Sequence, residues 1–230
     1  MTITYTITLL PKDYPDPSTW DEMISRQKDL RLLSLQIAPD SFSSTFSRES
    51  QFTREDWEAR LKNPQAFTFI ASPSSNSKSS PAPPISTFKI TQEPWIGSAV
   101  LLGPLPLSTN PPSHPSTKAS GRSELRSEEN HITFEICALF VMPEARRLGV
   151  GNALFEAVIV HGKSIARERG CSLVCFRVST AESNKEALRL YEKLGFKVVA
   201  RNNFLSGSTG AGSCMRGTLS MELWSEFGSD

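Results

Sequence analysis

An arginine- and glycine-rich segment, "RRLGVG" at positions 146–151, separates a strand-like apolar run from a helical pattern. The first turn of a helix has unpaired backbone N–H groups and a partial positive charge, so it can bind an anion. Gly149 and Gly151 would let the backbone approach a phosphate closely, and Arg146 and Arg147 would add charge. Glycine weakens a helix, so two glycines at a helix start call for an explanation. The alternative to anion binding is an ordinary tight turn between the strand and the helix.

Two well-known phosphate-binding motifs are excluded at this segment. A Walker loop needs a lysine followed by serine or threonine after its last glycine, and here Gly151 is followed by Asn152 and Ala153. A dinucleotide-binding fingerprint needs a third glycine and normally lies early in the chain. A GxG pair alone therefore leaves both the anion-binding turn and the plain turn open.

A glutamate lies within the apolar run that precedes the glycines. Strand alternation places Glu135 on one face with four neighbours, namely His131, Thr133, Cys137 and Leu139. A carboxylate in such a strand needs water or a polar partner. Glu135 is therefore either a functional carboxylate or a strand-end residue that faces solvent or pairs with an arginine such as Arg177.

The elements that would position these residues alternate between strands and helices. Alternating or continuous apolar runs predict strands at "TITYTITLL", "AFTFIA", "WIGSAVLL", "HITFEICALFV", "CSLVCFRV", "FKVVARNNF" and "CMRGTLSMELW". Helices are predicted from Ser18 or Thr19 onward, after Thr53, after the glycine turn to about Glu168, and after Ser183 or Asn184 up to Gly195. The order β-α-α-β-β-β-α-β-α-β-β predicts a mixed α/β fold.

Length and composition narrow the class of protein. The chain has 230 residues, 38% of them hydrophobic, and a net charge of +1, which disfavours a general nucleic-acid binder. Neither a membrane-spanning run nor a signal peptide is recognised, and four cysteines without CxxC spacing or a histidine cluster predict free thiols and no metal. We therefore expect a cytoplasmic protein that binds no membrane. Serine- and proline-rich stretches at about 72–87 and 103–130 are interpreted as disordered loop insertions within a single domain, residues 1–230.

Two motifs resemble those of a known family. The sequence Arg-x-x-Gly-x-Gly after "LFVMPEA" resembles the acetyl-coenzyme A (acetyl-CoA) signature of the GNAT superfamily of N-acetyltransferases. About forty residues later, "NKEALRLYEKLGFKVVAR" resembles the second family motif. The resemblance covers residues 131–201 and, less specifically, the helical region "APDSFSSTFSRESQFTREDWEARL". It implies a GNAT fold, in which helices flank a mixed central sheet with a splayed parallel strand pair.

The resemblance also implies roles for individual residues. Glu135 corresponds to the general base, and Tyr191 to the tyrosine that protonates the departing thiolate. The backbone at Leu139 would polarise the thioester carbonyl. The residues implied in acetyl-CoA binding are Leu139, Phe140, Val141, Arg146, Arg147, Leu148, Gly149, Val150, Gly151, Asn152, Asn184 and Tyr191. A capping role alone would also account for Asn184, and a helix-packing role for Tyr191.

The predicted reaction is acetyl transfer from acetyl-CoA to a primary amine by direct attack in a ternary complex, in a monomer or homodimer. A non-catalytic acyl-CoA-binding module and a protein lysine or N-terminal acetyltransferase are the alternatives. The aromatic residues Phe42, Phe46, Trp57 and Trp95 are candidate walls of the acceptor pocket, or simply core. His114 and His161 are assigned no role, and the identity of the amine is not readable from the sequence.

Overall fold

The computed structural model describes residues 4–74, 90, 93–106, 131–206 and 214–227. Within these ranges the strands are β1 (Tyr5–Leu9), β2 (Ala66–Pro73), β3 (Gly97–Leu102), β4 (His131–Val141), β5 (Leu173–Ala181), β6 (Lys197–Ser206) and β7 (Cys214–Glu226). The α-helices are α1 (Pro17–Ile37), α2 (Phe46–Glu49), α3 (Arg54–Lys62), α4 (Val150–Glu168) and α5 (Lys185–Lys193). Single 3₁₀ turns occupy Pro39–Ser41 and Pro143–Ala145.

The strands form a mixed sheet in the order β1-β2-β3-β4-β5-β7-β6. The β4–β5 pair is parallel, and the β1–β2, β2–β3, β5–β7 and β6–β7 pairs are antiparallel. The predicted α/β class with helices flanking a mixed sheet is therefore confirmed. Among the elements whose bounds are described, the predicted order also holds, with the short helix α2 and the two 3₁₀ turns added.

The chain divides into two compact units. The first comprises residues up to Leu102 together with Ile136–Val158. Its apolar cluster joins α1 and α3 to the sheet, because both helices present one buried face. The members of this cluster include Trp20, Met23, Leu30, Trp57, Leu61, Ile70, Trp95 and Phe140.

The second unit comprises Gly103–Glu135 and the chain from Ile159 onward. Phe134 and Phe176 stack across the parallel pair, with their ring centroids 6.1 Å apart. In the adjacent antiparallel pair, Arg177 Nε donates a 2.9 Å hydrogen bond to Glu222, which is almost fully buried. Trp224 Nε1 donates to the same carboxylate at 2.9 Å, so Glu222 has neutral and charged donors where water is excluded.

Helix starts follow side-chain capping rules, with one correction. The prediction that Ser18 or Thr19 caps α1 was wrong, because Asp16 accepts a 2.8 Å hydrogen bond from the Thr19 amide. Pro17 fits the first helical position because its missing N–H would have had no partner there. Thr53 caps α3 in a reciprocal capping box with Asp56, as predicted for Thr53.

The predicted start of the first loop insertion also needs correction. Ser72 and Pro73 belong to β2, where they pair with Thr6 and Tyr5, so the strand extends two residues into the predicted insertion. Ser72 is buried because β1 covers this end of β2. Residues 75–87 of that insertion, and residues 107–130 of the second, lie outside the described residues. Of the second insertion, Gly103–Pro106 is described, and Leu105 N donates to Thr133 O at 2.8 Å.

Candidate functional site

The segment between β4 and α4 is a surface turn anchored at both ends. On its helical side, Leu154, Phe155 and Val158 are fully buried and hold α4 in the first unit. The turn itself exposes Arg146, Arg147, Leu148 and Gly149 to solvent. The first helical residue, Val150, is only 1% exposed. The N-terminus of a long helix is thus fixed by packing while its preceding arginines stay accessible.

The backbone of this turn adopts an uncommon conformation. Arg147 and Gly149 have φ values of +61° and +85°. Left-handed residues among right-handed ones can turn successive N–H groups toward one concave side, where an anion binds. Of the two predicted glycines, only Gly149 is in this left-handed region, since Gly151 lies in the first turn of α4.

Two side chains of the turn have intramolecular partners. Arg146 Nε donates to Val141 O at 3.2 Å, which ties the turn to the end of β4. Asn152 Nδ2 donates to Glu156 Oε1 at 2.7 Å, one turn further along α4. The guanidinium of Arg146 therefore stays at the surface but is held close to the strand end.

Strand β4 contains a backbone irregularity that was not predicted. Ala138 has a φ of +53°, which L-residues rarely adopt, and it directly precedes Leu139. The parallel ladder with β5 runs from His131 to Glu135, whereas β4 continues to Val141. Leu139 and Val141 are half-buried, and Phe140 packs into the core cluster. Alanine gives little sequence signal for a left-handed residue, so only the backbone reveals it.

Glu135 is half-buried and lies opposite Arg177 in the parallel ladder. The expected alternative, an ion pair between these two residues, is not observed, because Arg177 donates to Glu222 instead. No hydrogen bond or ion pair joins Glu135 to another residue of the described part of the chain. Its carboxylate is therefore not committed to a structural contact there.

Tyr191 and Asn184 lie on α5 and at its start. The Tyr191 ring is 7% exposed and packs against Phe196, with ring centroids 6.0 Å apart. Asn184 Oδ1 accepts a 3.1 Å hydrogen bond from Ala187 N, so the predicted cap is confirmed. Gly195, the predicted helix stop, has a φ of +92° and follows α5 as a left-handed terminator does.

A cavity of about 330 Å³ lies in the first unit. Helices α1 and α3 and strands β2 and β3 line it, and Cys137 and Ala138 of β4 complete its wall. Trp57 and Trp95 are among the lining residues, whereas Phe42 and Phe46 are not. Phe42 instead lies under the Arg31 guanidinium, 4.6 Å from ring centroid to Cζ, and Phe46 is 38% exposed.

Beside this cavity, Glu49 binds two arginines. Its carboxylate accepts hydrogen bonds from Arg31 at 2.9 Å and from Arg60 at 3.0 Å, and its side chain is 1% exposed. Burial by itself would raise the pKa of Glu49, but the hydrogen bonds and charge of Arg31 and the hydrogen bond from Arg60 outweigh it and lower the pKa to about 2. The sequence "SRESQF" offered no sign that this glutamate is buried.

The remaining candidates have structural explanations. Cys137, Cys171 and Cys175 form no disulfide, as predicted. Burial together with the charge of Glu222 raises the pKa of Cys175 to about 12. His161 is a half-buried residue of α4, and His114 lies outside the described residues. Among the residues that the structure describes, no cluster of metal-ligating side chains is found, and no helix is long and apolar enough to cross a membrane.

Known proteins are similar to this chain in sequence and in fold. Residues 118–198 match the family model for the acetyltransferase (GNAT) domain. The fold is similar to that of NAA60 from Arabidopsis thaliana, solved with a bisubstrate analogue, at a TM-score of 0.55 and 19% identity over 95% of this chain and 98% of that one. A GNAT acetyltransferase from Streptococcus pneumoniae gives a TM-score of 0.54 at 14% identity, over 96% of this chain and 99% of that one. Residues 118–198 are thus similar to a GNAT acetyltransferase domain, and the fold is similar to that of solved acetyltransferases.

A sequence relative is similar to part of the chain. An N-acetyltransferase 9-like protein from Schizosaccharomyces pombe is 28% identical over 86 residues. This match covers 37% of the present chain and 40% of that relative. The likeness thus concerns one region of each protein, and the activity of the whole chain has to be argued from its own residues.

Proposed function

We propose that this protein is an N-acetyltransferase that transfers an acetyl group from acetyl-CoA to a primary amine by direct attack in a ternary complex. The observation that carries the proposal is the exposed turn at Arg146–Gly149, with its left-handed residues and its position at the N-terminus of α4. Such a turn combines unpaired N–H groups, a helix dipole and arginine charge, which suits a pyrophosphate. A. thaliana NAA60, which has a similar fold, has been solved with acetyl-CoA.

The residues proposed to bind acetyl-CoA fall into two groups. Arg146, Arg147 and the backbone of residues 148–152 would hold the pyrophosphate. The backbone of residues 139–141, just after the left-handed Ala138, would hold the pantetheine arm and polarise the thioester carbonyl. The end of the regular parallel ladder at Glu135 supports this second assignment, because a strand that has left its ladder has backbone groups available for a ligand.

Two side chains are proposed to move protons. Amines are mostly protonated near neutral pH, so a base must remove a proton before attack, and Glu135 takes this role directly or through water. The amine then attacks the thioester carbonyl, the C–S bond breaks, and Tyr191 donates its phenolic proton to the departing thiolate. The nitrogen loses its remaining extra proton to water as the amide forms, and Tyr191 regains a proton from water. The absence of a described structural partner for Glu135 supports its assignment. Asn184 is proposed to contribute through its cap on α5 and, secondarily, as a cofactor contact.

The test measures binding and turnover separately. Calorimetry with acetyl-CoA establishes binding, and release of free thiol reports transfer to a panel of polyamines, amino acids, arylamines, aminoglycosides and peptides. Turnover on any amine supports the enzyme, and turnover confined to peptides favours the protein acetyltransferase alternative. Tight acetyl-CoA binding without turnover on any amine would favour the sensing module instead. The single-domain, cytoplasmic and monomer-or-homodimer assignments stay predictions.

A further inference from the structure

The cavity of the first unit has a polar end among apolar walls. Leu30, Ile70 and Trp95 contribute apolar surface, and Gln27, Arg31 and Arg60 contribute polar groups. Its volume of about 330 Å³ is at the lower end of the size of small-molecule pockets, about 300–1,000 Å³. A compact ligand with one polar group therefore fits its dimensions.

Three buried polar atoms of the lining residues have no hydrogen-bond partner within the described part of the chain. They are Gln27 Oε1, Arg31 Nη1 and Trp57 Nε1. Trp57 is only 1% exposed, so its N–H cannot turn to bulk water. A buried polar atom left without a partner is unfavourable, and two donors and one acceptor at one cavity point to a ligand that supplies the partners.

The charge at the cavity is positive. Arg31 and Arg60 line it, and no Asp or Glu is found among its described lining residues. Glu49 neutralises one of the two guanidinium groups, which leaves an excess of one positive charge. Both arginines are also held in place, since Arg31 stacks on Phe42 and Arg60 lies 4.8 Å from the Trp57 ring. Fixed donors of this kind lose little entropy when they bind an anion.

We infer that the cavity binds the acceptor amine through a carboxylate that the same molecule carries. The carboxylate accepts hydrogen bonds from Arg31 Nη1 and Trp57 Nε1, and Gln27 Oε1 accepts from an N–H group of the ligand. The description of the ligand as an acceptor rests on the proposed function. The carboxylate can belong to a free amino acid or to an acidic side chain of a peptide, and these two sources are separated by experiment.

The experiment measures binding by calorimetry on the full chain, without any turnover. The small-molecule arm pairs β-alanine with propylamine and γ-aminobutyrate with butylamine. The peptide arm pairs a tetrapeptide amide that has glutamate as its second residue with the glutamine counterpart. We expect the carboxylate member of at least one arm to bind about tenfold or more tightly than its partner, equivalent to about 1.4 kcal/mol. The arm that shows this preference identifies whether the carboxylate belongs to a free amino acid or to a peptide side chain.

Two variants test the residues. Arg31→Lys keeps a charge for Glu49 but removes Nη1, and Gln27→Glu places a negative charge at the cavity with almost no change in shape. Each is expected to reduce the carboxylate preference to about threefold or less. Arg48→Gln, an exposed arginine of α2 that does not line the cavity, is the control and should keep the preference.

Equal binding of both members of every pair by the wild type, or an unchanged preference in both variants, would overturn the inference. The proposed function fails in a different way, by an absence of acetyl-CoA binding or of thiol release. Calorimetry with acetyl-CoA on the same samples distinguishes the two. A carboxylate preference without acetyl-CoA binding would retain the anion site and reject the transferase.

Discussion

The phenolic oxygen of Tyr5 lies 3.0 Å from the position that a Cβ atom would take at Gly149. Gly149 also has a φ of +85°, a conformation that costs an L-residue about 1 kcal/mol. Glycine is therefore favoured here for two reasons, the backbone conformation and the space beside β1. The turn proposed to bind the pyrophosphate is shaped by the first strand of the chain as well as by its own sequence.

Gly149→Ala should weaken acetyl-CoA binding about tenfold, because the added methyl group forces the turn or the Tyr5 side chain to move. Gly170→Ala is the matched control, since Gly170 has a φ of +69° and open space where its Cβ would lie. Both variants should lose about 1 kcal/mol of unfolding free energy, but only the first should lose affinity. Calorimetry measures the acetyl-CoA affinity, and urea unfolding measures the free energy of unfolding. If Gly149→Ala binds acetyl-CoA as tightly as Gly170→Ala does, the segment is an ordinary turn.

Glu49 should make the protein sensitive to acid. Its pKa in the folded state is about 2, below the usual value of about 4.3 for an unfolded chain. The ionised carboxylate therefore stabilises the fold fully above pH 5, and this contribution of about 2–3 kcal/mol is lost as the pH falls from about 4.5 to 2. Urea unfolding of the wild type across this range should show the decline.

Glu49→Gln should cost about 3 kcal/mol at pH 7, because Arg31 and Arg60 lose their shared anion in a buried position. The free energy of unfolding of this variant should then fall less than that of the wild type between pH 4.5 and 2. Glu58→Gln is the control. Hydrogen bonds from Lys62, Trp20 and Arg54 lower the pKa of Glu58 to about 2 as well, but solvent screens this residue. If Glu58→Gln loses as much unfolding free energy as Glu49→Gln, burial of the Glu49 carboxylate does not increase its contribution to stability.

Tyr191→Phe should lower kcat by about 10²-fold, near the lower end for a positioned general acid, because a thiolate is already a fair leaving group. Acetyl-CoA affinity should stay within about twofold, since the ring can still pack against Phe196. Tyr14→Phe, at a half-buried tyrosine packed on the core cluster of the first unit, serves as control. Steady-state kinetics on whichever amine the panel identifies measures kcat for both variants and the wild type. A wild-type kcat in Tyr191→Phe would show that Tyr191 is not the general acid.

Glu135→Gln should shift the pH–rate profile toward alkaline pH, where the amine is already deprotonated and needs no base. Near neutral pH the rate should fall by about 10²-fold, whereas at high pH it should approach that of the wild type. Glu182→Gln is the comparison, because Glu182 is a strand-end glutamate that pairs with Arg201 at 3.1 Å. If both variants keep the wild-type profile, Glu135 is not the base.

The confirmed predictions were those that depend on residues close to one another in the sequence. Thr53, Asn184 and Gly195 act within a single helical turn, so their roles as caps and stop follow from local hydrogen bonding. Strand periodicity likewise predicted β4 with its observed bounds. The one capping error, at α1, arose because Asp16, Ser18 and Thr19 can all cap and only geometry selects among them.

The sequence by itself determined the mixed α/β fold, the glycine turn before α4 and the resemblance to the GNAT superfamily, because each depends on local propensity or on contiguous motifs. Contacts between residues far apart in the sequence were decided only by the tertiary structure. It brought Arg31 and Arg60 to Glu49, directed Arg177 to Glu222 and away from Glu135, and placed Tyr5 against Gly149. The left-handed backbone at Ala138 belongs to the same class, because alanine carries no preference for that conformation and the strand adopts it in the context of the folded sheet.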